Sequence, residues 1–365
     1  MCRFSCPVSE AARSETVTPW GKMTMLALTS AAGHPPADPE EARALYACTG
    51  CLRCRDACDH GNDVPSALYA GRAVAVRAGV APAAAAGVGE QFAAYGTIER
   101  GERGEQGEPG ELAAAAAALT PLASRAAGAP ILFAGCGALA HEPSAVADAL
   151  RAARALNAPL ALHAQAPLCC GLPLLEAGFD EAFRAQARRV AAAVLDQAWD
   201  GATREVVVLE PQCAEAMTAH YRRAGVDAPA KVTTLTSYLA QRLDAAPARP
   251  RLPGAAVYHD ACALARGQGE TEAPRALLRA ALRGGVVEGP GTGTDSLCCG
   301  AGGLVPRTMP DLAGAMAQRA AASLPPAEVL ATASGACRRH FERSGVTAAD
   351  VVSLFAKWAC GGTDA

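Results

Sequence analysis

The sequence predicts a duplicated α/β fold that follows a separate cysteine-rich segment, and three observations support this prediction. Two stretches of the chain share their cysteine pattern, their apolar runs and the tripeptide Cys-Cys-Gly. Short apolar runs of strand type alternate with Ala/Leu/Arg stretches of helical type, such as 180–198 and 310–323. The 15 cysteines are far more than packing requires in 365 residues. The expected regions are 1–75, 76–128, 129–246 and 250–360.

Composition excludes several functional classes. A formal charge of −3 provides neither the basic face of a nucleic-acid binder nor a polybasic membrane anchor. The N-terminus shows no apolar signal core, and the longest apolar tracts, 78–88 and 112–122, are shorter than a bilayer span. We therefore expect a cytoplasmic protein with no nucleic-acid partner. In that compartment thiols stay reduced, so clustered cysteines indicate metal or redox chemistry.

The N-terminal region, 1–75, contains the sharpest local motif. The stretch "CTGCLRCRDAC" places Cys48, Cys51, Cys54 and Cys58 at the spacing C-x2-C-x2-C-x3-C, which is typical of a bacterial [4Fe–4S] ferredoxin loop. A zinc site is the alternative, because C-x2-C also suits zinc. Three cysteines at intervals of three, with a fourth following, favour the iron–sulfur interpretation.

A second, partial run lies at the start of the chain. In two-cluster ferredoxins the fourth cysteine of one run binds the other cluster. Cys6, followed by proline, would therefore complete the cluster of Cys48, Cys51 and Cys54. Cys58 and Cys2 would belong to a second cluster whose two remaining cysteines would precede Met1. We expect either a truncated start or the loss of this second cluster, and we favour the truncated start.

Residues 76–128 contain no cysteine and are rich in alanine and glycine. Their charged, turn-prone stretch "ERGERGEQGEPGE" at 99–111 predicts a linker, or a helical connector around a flexible loop.

The remaining chain repeats itself. In each copy an apolar run leads to one cysteine, the adjacent pair follows, and a further apolar run leads to a fourth cysteine. Corresponding cysteines of the two copies are 126, 129 and 124 residues apart, which indicates a domain duplication. The first copy contains Cys136, Cys169, Cys170 and Cys213, and the second contains Cys262, Cys298, Cys299 and Cys337.

These cysteines follow predicted strands or precede predicted helices. Ligands of parallel α/β sheets collect at the carboxyl ends of the strands, so the four thiols of a copy are expected to converge there. Gly171 and Gly300, which follow the pairs, would let the backbone turn closely around a bound group. His259 and Asp260 precede Cys262 and would tune a cluster through hydrogen bonds around it. Alternatively, Asp260 would cap the helix that follows.

At this point the chain resembles the iron–sulfur oxidoreductases that contain two cysteine-rich CCG domains. This group includes the B-type and D-type subunits of heterodisulfide reductase, the iron–sulfur subunits of glycolate oxidase and glycerol-3-phosphate dehydrogenase, and lactate-utilisation proteins. The resemblance rests on "CRFSCPV", "CTGCLRCRDAC", both "LCCG" motifs and "YHDAC" at 258–262. It implies a helical ferredoxin-like [4Fe–4S] domain followed by two α/β CCG domains.

The family motif ends each copy with C-x2-C, and neither copy here completes it. Ala216 follows Cys213 by three residues, and Ser334 precedes Cys337 by three. In heterodisulfide reductase five such cysteines hold a cluster that cleaves disulfides. Four thiolates per copy would still hold an iron–sulfur cluster or zinc, or serve only a structural role.

The resemblance implies an electron-transfer subunit of a multi-component oxidoreductase. Electrons would pass between an FAD-dependent dehydrogenase of a 2-hydroxy acid, such as glycolate or lactate, and a quinone or other acceptor. One alternative is a thiol–disulfide reductase that uses the CCG site, and another is a non-catalytic zinc or interaction protein. A partner subunit would hold the protein on the inner face of the membrane.

Overall fold

The computed structural model describes residues 2–31, 35–99, 109–126, 128–162, 169–195, 205–227 and 231–361. Its N-terminal region begins with a 3-10 turn, Cys2–Ser5. The helices that follow are α1 (Pro7–Ala12), α2 (Pro19–Ala31), α3 (Pro39–Tyr46), α4 (Arg53–Asp56) and α5 (Val64–Arg77).

Local sequence explains where two of these helices begin. Asp38 and Asp63 accept hydrogen bonds from the backbone N–H groups of Glu41 and Ser66, so they cap α3 and α5. Proline occupies the first turn of both helices, where a missing N–H leaves no hydrogen bond unmade. The segment 47–52 between α3 and α4 is thus held as a loop, and it contains Cys48 and Cys51.

The first copy is a four-stranded parallel sheet with helices packed around it. Its strands are β1 (Ile131–Phe133), β2 (Ala161–Leu162), β3 (Glu205–Val208) and β4 (Lys231–Thr234), in the order β2-β1-β3-β4. Its helices are α8 (Cys136–His141), α9 (Pro143–Ala155), α10 (Leu172–Ala177), α11 (Asp180–Leu195), α12 (Pro211–Glu215), α13 (Tyr221–Arg223) and α14 (Leu235–Ala240). A π-helical turn, Ala216–His220, joins α12 to α13.

The second copy repeats this arrangement. Its strands are β5 (Ala256–His259), β6 (Val286–Val287), β7 (Val329–Thr332) and β8 (Ala349–Asp350), in the order β6-β5-β7-β8. Its helices are α15 (Cys262–Ala265), α16 (Glu272–Ala281), α17 (Val305–Thr308), α18 (Pro310–Ala322), α19 (Gly335–Arg343) and α20 (Val351–Ala359).

The two sheets confirm the predicted duplication and the parallel α/β fold. The central strands β1 and β3 pair in parallel with Leu132 opposite Val207, and β5 and β7 pair with Val257 opposite Leu330. These four residues are buried or nearly so, as expected where helices cover both faces of a parallel sheet. The predicted helical stretches at 180–198 and 310–323 correspond to α11 and α18.

The copies pack on each other through equivalent helices. Helix α20, the last of the second copy, packs against α9 of the first copy, and α14, the last of the first copy, packs against α16. Phe355 and Trp358 on α20 and Tyr238 on α14 contribute buried side chains to this shared apolar core. One continuous core therefore holds the two copies in a fixed relation.

Two connecting helices, α6 (Ala83–Tyr95) and α7 (Pro109–Leu119), precede the first sheet. Helix α6 packs on α10 and buries Val88 and Phe92, and α7 packs on α8 and α9 and buries Leu112. Residues 100–108, within the predicted flexible loop, lie outside the described residues.

Across the part of the chain that the structure describes, none of the helices combines the length and the apolar character needed to cross a membrane.

Candidate functional site

The four cysteines of the first copy converge, as their positions after the strands predicted. Cys136 begins α8 directly after β1, the pair Cys169–Cys170 immediately precedes Gly171 and α10, and Cys213 lies in α12 after β3. The thiol of Cys169 contacts those of Cys136 and Cys170, and Cys170 also contacts Cys213. All four are buried. We call these four residues the first thiol site.

Mutual hydrogen bonds set the charge distribution of the first thiol site. Hydrogen bonds from Cys169 and Cys213 hold the pKa of Cys170 well below that of a free thiol. The hydrogen bond with Cys136 raises the pKa of Cys169, and the one with Cys170 raises the pKa of Cys213, with burial adding to both shifts. The pKa of Cys170 is therefore lowered where those of Cys169 and Cys213 are raised.

The backbone around the pair is held by neighbouring side chains. Gly171 has a φ of 83°, and a Cβ there would lie 3.0 Å from the Gln186 side chain. Gln186 in turn donates a hydrogen bond of 2.7 Å to the Cys169 carbonyl, and the Tyr221 hydroxyl donates one of 2.8 Å to the Cys170 carbonyl. Glycine therefore permits the left-handed turn that aims both thiols inward.

The second copy forms an equivalent group, the second thiol site. The thiol of Cys298 contacts Cys262 and Cys299, and Cys299 contacts Cys337. Hydrogen bonds from Cys262 and Cys299 lower the pKa of Cys298 well below the usual thiol value. Gly300 has a φ of 97° and packs against the Ala313 carbonyl, where a Cβ would lie 2.8 Å away.

The N-terminal loop covers the second thiol site. The thiol of Cys51 contacts Cys298, and the Cys298 thiol donates to the Thr49 hydroxyl at 3.5 Å. The buried Arg266 fixes this contact, since its Nε donates to the Cys51 carbonyl at 2.5 Å and its Nη1 to the Ser296 carbonyl at 3.0 Å. The motif spacing predicts only that Cys51 belongs to the 48–58 cysteine run. The contact between Cys51 and the second copy is visible only in the structure.

The other N-terminal cysteines lie around the same loop. Cys48 and Cys6 are buried within one apolar cluster, which the half-buried Cys54 also touches. The buried Lys22 ammonium donates to the Cys6 thiol at 3.9 Å, and Arg53 donates to the carbonyl of Ser5 at 3.3 Å. The segment containing Cys6 is thus held against the Cys48–Cys54 loop.

Cys58 and Cys2 are the two remaining predicted ligands of the N-terminal region. Cys58 is half-buried, and backbone hydrogen bonds from Asn62 and His60 lower the pKa of its thiol. The side chain of Cys2 lies outside the described residues. Their predicted assignment to a second cluster therefore remains a prediction.

Arg72 joins the loop to both copies. Its fully buried guanidinium donates to the carbonyls of Cys48 (3.0 Å) and Leu45 (2.9 Å), to that of Glu176 in the first copy (2.7 Å) and to that of Gly303 in the second (3.3 Å). No spacing rule in the sequence distinguishes Arg72 from the many other arginines. The sequence alone therefore does not identify Arg72 as a positioning residue.

His259 and Asp260 position backbone near the second thiol site. The ring of His259 hydrogen-bonds the Leu297 carbonyl at 3.1 Å, and burial lowers its pKa, so the ring is neutral. Asp260 forms a bidentate pair with Arg275 at 2.7 and 2.8 Å. The helix that begins at Cys262 has no side-chain cap, so the capping role considered for Asp260 is wrong.

A cavity of about 380 Å³ opens onto the first thiol site. All four cysteines of the first site line it, together with Glu176 and Glu210 of the first copy, Glu99 of the connecting segment and three arginines of the second copy. Glu99 and His141 form a hydrogen-bonded pair of 2.9 Å in its wall, and Glu210 lies 3.7 Å from Arg339 of α19. The second thiol site does not line this cavity. The two sites therefore differ in access although they share a fold.

The donor chemistry of both sites suits iron–sulfur clusters, because buried thiolates prefer soft metals and a left-handed glycine leaves room beside each pair. No group of three or more His, Cys, Asp or Glu side chains among the described residues is arranged to hold a single metal ion. The cysteines of each site are the residues that would hold an iron–sulfur cluster.

Comparison with known proteins bears on these sites. A family model described as "CCG: Cysteine-rich domain" matches residues 131–218 and 256–342, one match for each sheet. These ranges contain all eight cysteines of the two thiol sites.

Three relatives are similar to the chain over stretches of different length. The D subunit of dihydromethanophenazine:CoB–CoM heterodisulfide reductase from Methanosarcina barkeri is 28% identical over 241 residues, which is 62% of this chain and 58% of the relative. The B subunit of fumarate reductase (CoM/CoB) from Methanothermobacter marburgensis is 26% identical over 328 residues, covering 88% and 61%. A probable membrane-anchored ferredoxin from Chromohalobacter salexigens is 52% identical over 62 residues, covering 16% and 9%.

The chain spans about 60% of the length of the first two relatives. The predicted resemblance is confirmed: the chain contains two cysteine-rich CCG domains and is homologous to subunits of heterodisulfide reductase and fumarate reductase.

Proposed function

We propose that this chain is an iron–sulfur subunit of a multi-component oxidoreductase and that a small disulfide reacts at its first thiol site. The cavity is the observation that carries the proposal, because it leads a small molecule to four buried thiols of the first copy. The names of the relatives also favour the thiol–disulfide alternative over a 2-hydroxy-acid dehydrogenase partner.

The N-terminal loop would hold a [4Fe–4S] cluster through Cys48, Cys51, Cys54 and Cys6. Their spacing and the packing of Cys6 against the loop support this assignment. When bound, such a cluster supplies one-electron transfer at a potential set by burial and hydrogen bonds. The ammonium of Lys22, close to Cys6, would stabilise the more negative, reduced state.

The two thiol sites would then have different tasks. The second site contacts the loop through Cys51 and is covered by it, so it is suited to relay electrons. The first site faces the cavity, so it is suited to meet the substrate. After the duplication, the first site would have kept its cysteines to react with the substrate, and the second would have kept its cysteines to relay electrons.

The proposed reaction converts a disulfide, two electrons and two protons into two thiols. The electrons come one at a time from a reduced partner protein, either a flavoprotein or another one-electron donor. As the S–S bond breaks, each departing sulfur takes a proton. His141, which Glu99 holds in the cavity wall, is placed to deliver one of these protons. The partner that supplies the electrons would also determine any attachment to the membrane.

Filling the cavity tests this proposal. Ala336 lies in α19 and lines the cavity, whereas Ala322 lies exposed at the end of α18. With reduced benzyl viologen as donor, Ala336→Phe should reduce turnover of a small disulfide about tenfold or more while cluster content stays unchanged. Ala322→Phe should behave as the unmodified chain. Equal turnover in both variants would contradict reaction at the first thiol site.

A further inference from the structure

A buried arginine lies between the N-terminal loop and the second thiol site. Arg266 is only 4% exposed, and its Nε donates to the carbonyl of Cys51 in the loop. Its Nη1 donates to the carbonyls of Thr294 at 2.6 Å and Ser296 at 3.0 Å, in the segment that precedes Cys298. Among the described residues, every acceptor of this guanidinium is therefore a neutral carbonyl or hydroxyl oxygen.

The charge of Arg266 has no carboxylate beside it among the residues that the structure describes. Two other largely buried arginines of the second copy do have one. Arg275 bonds to Asp260 at 2.7 and 2.8 Å, and Arg339 bonds to Glu142 at 2.6 Å. Burying a cation is costly unless an anion lies next to it, and a guanidinium does not lose its proton inside a protein. The charge of Arg266 must therefore be balanced by a group other than a carboxylate.

The thiols on either side of Arg266 are that group. Burial opposes the charge of the guanidinium, yet attraction to the thiolates of Cys51, Cys262 and Cys298 outweighs burial and raises its pKa. The carboxylate of Asp56 attracts it less strongly and is 31% exposed, so water screens it. Cysteines that bind a metal do so as thiolates, so a metal-loaded second site would supply the missing negative charge.

One donor of the guanidinium is also left over. Nη2 of Arg266 is buried, and it has no hydrogen-bond partner within the described ranges. Buried donors are almost always hydrogen-bonded, so this atom indicates an acceptor that the protein chain does not provide. The sulfurs of an iron–sulfur cluster accept hydrogen bonds from N–H groups. The unpartnered Nη2, the buried charge and the adjacent thiols all fit an anionic cluster at the second thiol site.

The first copy differs at the equivalent position. Cys136 and Cys262 begin the corresponding helices α8 and α15, and the residue four positions later is Ala140 in the first copy and Arg266 in the second. Arg339, in the wall of the cavity over the first thiol site, is balanced by carboxylates. The two thiol sites therefore differ in their surrounding charge as well as in their access.

A purely structural explanation for Arg266 must be separated from a redox role. Through Nε and Nη1 the side chain ties the N-terminal loop to the segment that precedes Cys298. A neutral donor of suitable length would make the same hydrogen bonds. The structural explanation thus requires no positive charge, and it leaves Nη2 without a purpose.

We propose that Arg266 is a positioning residue that stabilises the reduced, more negative state of a cluster at the second thiol site and so raises its reduction potential. The inference rests on the proposed function for the relay of electrons, but not for the disulfide. In the relay step one electron moves from the reduced N-terminal loop to the second site, and no bond forms or breaks. The added negative charge then lies beside a buried guanidinium, where little water screens the attraction.

Redox titration of the cluster-loaded chain with sodium dithionite, followed by electron paramagnetic resonance, tests this proposal. The signal that disappears in Cys299→Ser identifies the second thiol site. Arg266→Gln removes the charge, and Arg266→Lys retains it. The control is Arg55→Gln: Arg55 donates to the backbone carbonyl of Arg266 at 3.0 Å, but its side chain is 32% exposed, so water screens its charge.

Arg266→Gln should lower the equilibrium constant for one-electron reduction of the second site by about tenfold or more, which is a fall of about 59 mV or more in midpoint potential. Arg266→Lys should keep most of the potential, and Arg55→Gln should change it much less than Arg266→Gln. A merely structural role would lower the thermal midpoint of both Arg266 variants and leave the potential unchanged. If Arg266→Gln does not fold, Arg266→Lys still tests the proposal, because a large fall in its potential would overturn the role of the charge.

The outcomes separate this proposal from the disulfide reaction. Equal midpoint potentials in the unmodified chain and Arg266→Gln, or equal shifts in Arg266→Gln and Arg55→Gln, would overturn the role of Arg266 and leave the disulfide reaction standing. The loss of no signal in Cys299→Ser would also overturn it, because the second site would then hold no cluster. A lowered potential in Arg266→Gln, together with no reduction of a small disulfide by the unmodified chain, would support the role of Arg266 and contradict the proposed reaction.

Discussion

The thiol of Cys51 contacts the thiol of Cys298, which lies 247 residues further along the chain. The contact joins the N-terminal loop between α3 and α4 to the second Cys-Cys-Gly motif. Arg266 holds both partners, through the Cys51 carbonyl and through the backbone that precedes Cys298. In the proposed function, this contact is where electrons pass from the loop to the duplicated domains.

Mild oxidation of the metal-free chain should join these two thiols. Replacement of Cys262 and Cys299 by alanine leaves Cys51 as the contact of Cys298, so a disulfide between positions 51 and 298 should dominate in peptide mapping by mass spectrometry. Cys54 of the same loop is the internal comparison. A dominant 54–298 link would show that the loop lies in a different register.

Arg72→Met should destabilise the fold strongly. The substitution removes charged donors from four backbone carbonyls and leaves them buried, so the free energy of unfolding should fall by about 3–5 kcal/mol. Arg77→Met, on the same helix, breaks only an exposed pair with Asp180 and should cost less than about 1 kcal/mol. Denaturant unfolding compares the two, and equal losses would contradict the role of Arg72.

Gly300→Ala should disrupt the second thiol site. Alanine disfavours a φ of 97°, and its Cβ would lie 2.8 Å from the Ala313 carbonyl, so we expect a loss of about 2–4 kcal/mol and a lower metal content. Gly314 in α18 has open space around it, and Gly314→Ala should stabilise by about 0.5–1 kcal/mol. Thermal unfolding and metal analysis of both variants provide the check. An unperturbed Gly300→Ala would show that the turn is not required.

Acid should destabilise the protein through His220. Burial against Tyr69 lowers the pKa of His220 to about 4, below the usual 6.5 of the unfolded chain. The unfolded state therefore binds more protons between these values, and stability is lost as the pH falls from 6.5 towards 4.

His220→Phe, which retains a ring, should lessen this loss by about 2 kcal/mol between pH 7 and pH 4.5. The exposed His60 is the control, and His60→Gln should follow the unmodified chain. Denaturant unfolding at the two pH values measures the difference. Parallel curves for all three proteins would show that His220 is not the group responsible.

The sequence was sufficient for those features that local spacing encodes. Parallel strands that are buried on both faces appear in the sequence as apolar runs. The sequence therefore predicts the central strands of both sheets, β1, β3, β5 and β7, and the helices between them. The cysteines of each copy follow these strands, and their convergence follows from the geometry of parallel sheets.

The contacts between domains could not be predicted in this way. Cys51 reaches Cys298, and Arg72 reaches Glu176 and Gly303, only because three regions pack together. The cavity over the first thiol site is likewise lined by a residue of the second copy, Arg343. Such contacts depend on tertiary packing, which leaves no periodicity or spacing in the sequence.

The central claim is that this chain is an iron–sulfur redox subunit, and its most direct test is the content of iron, acid-labile sulfide and zinc per chain after anaerobic purification. The account predicts at least about four irons with a matching amount of sulfide, and less in a Cys48→Ser variant. Zinc without acid-labile sulfide would contradict it and would favour a structural metal site instead.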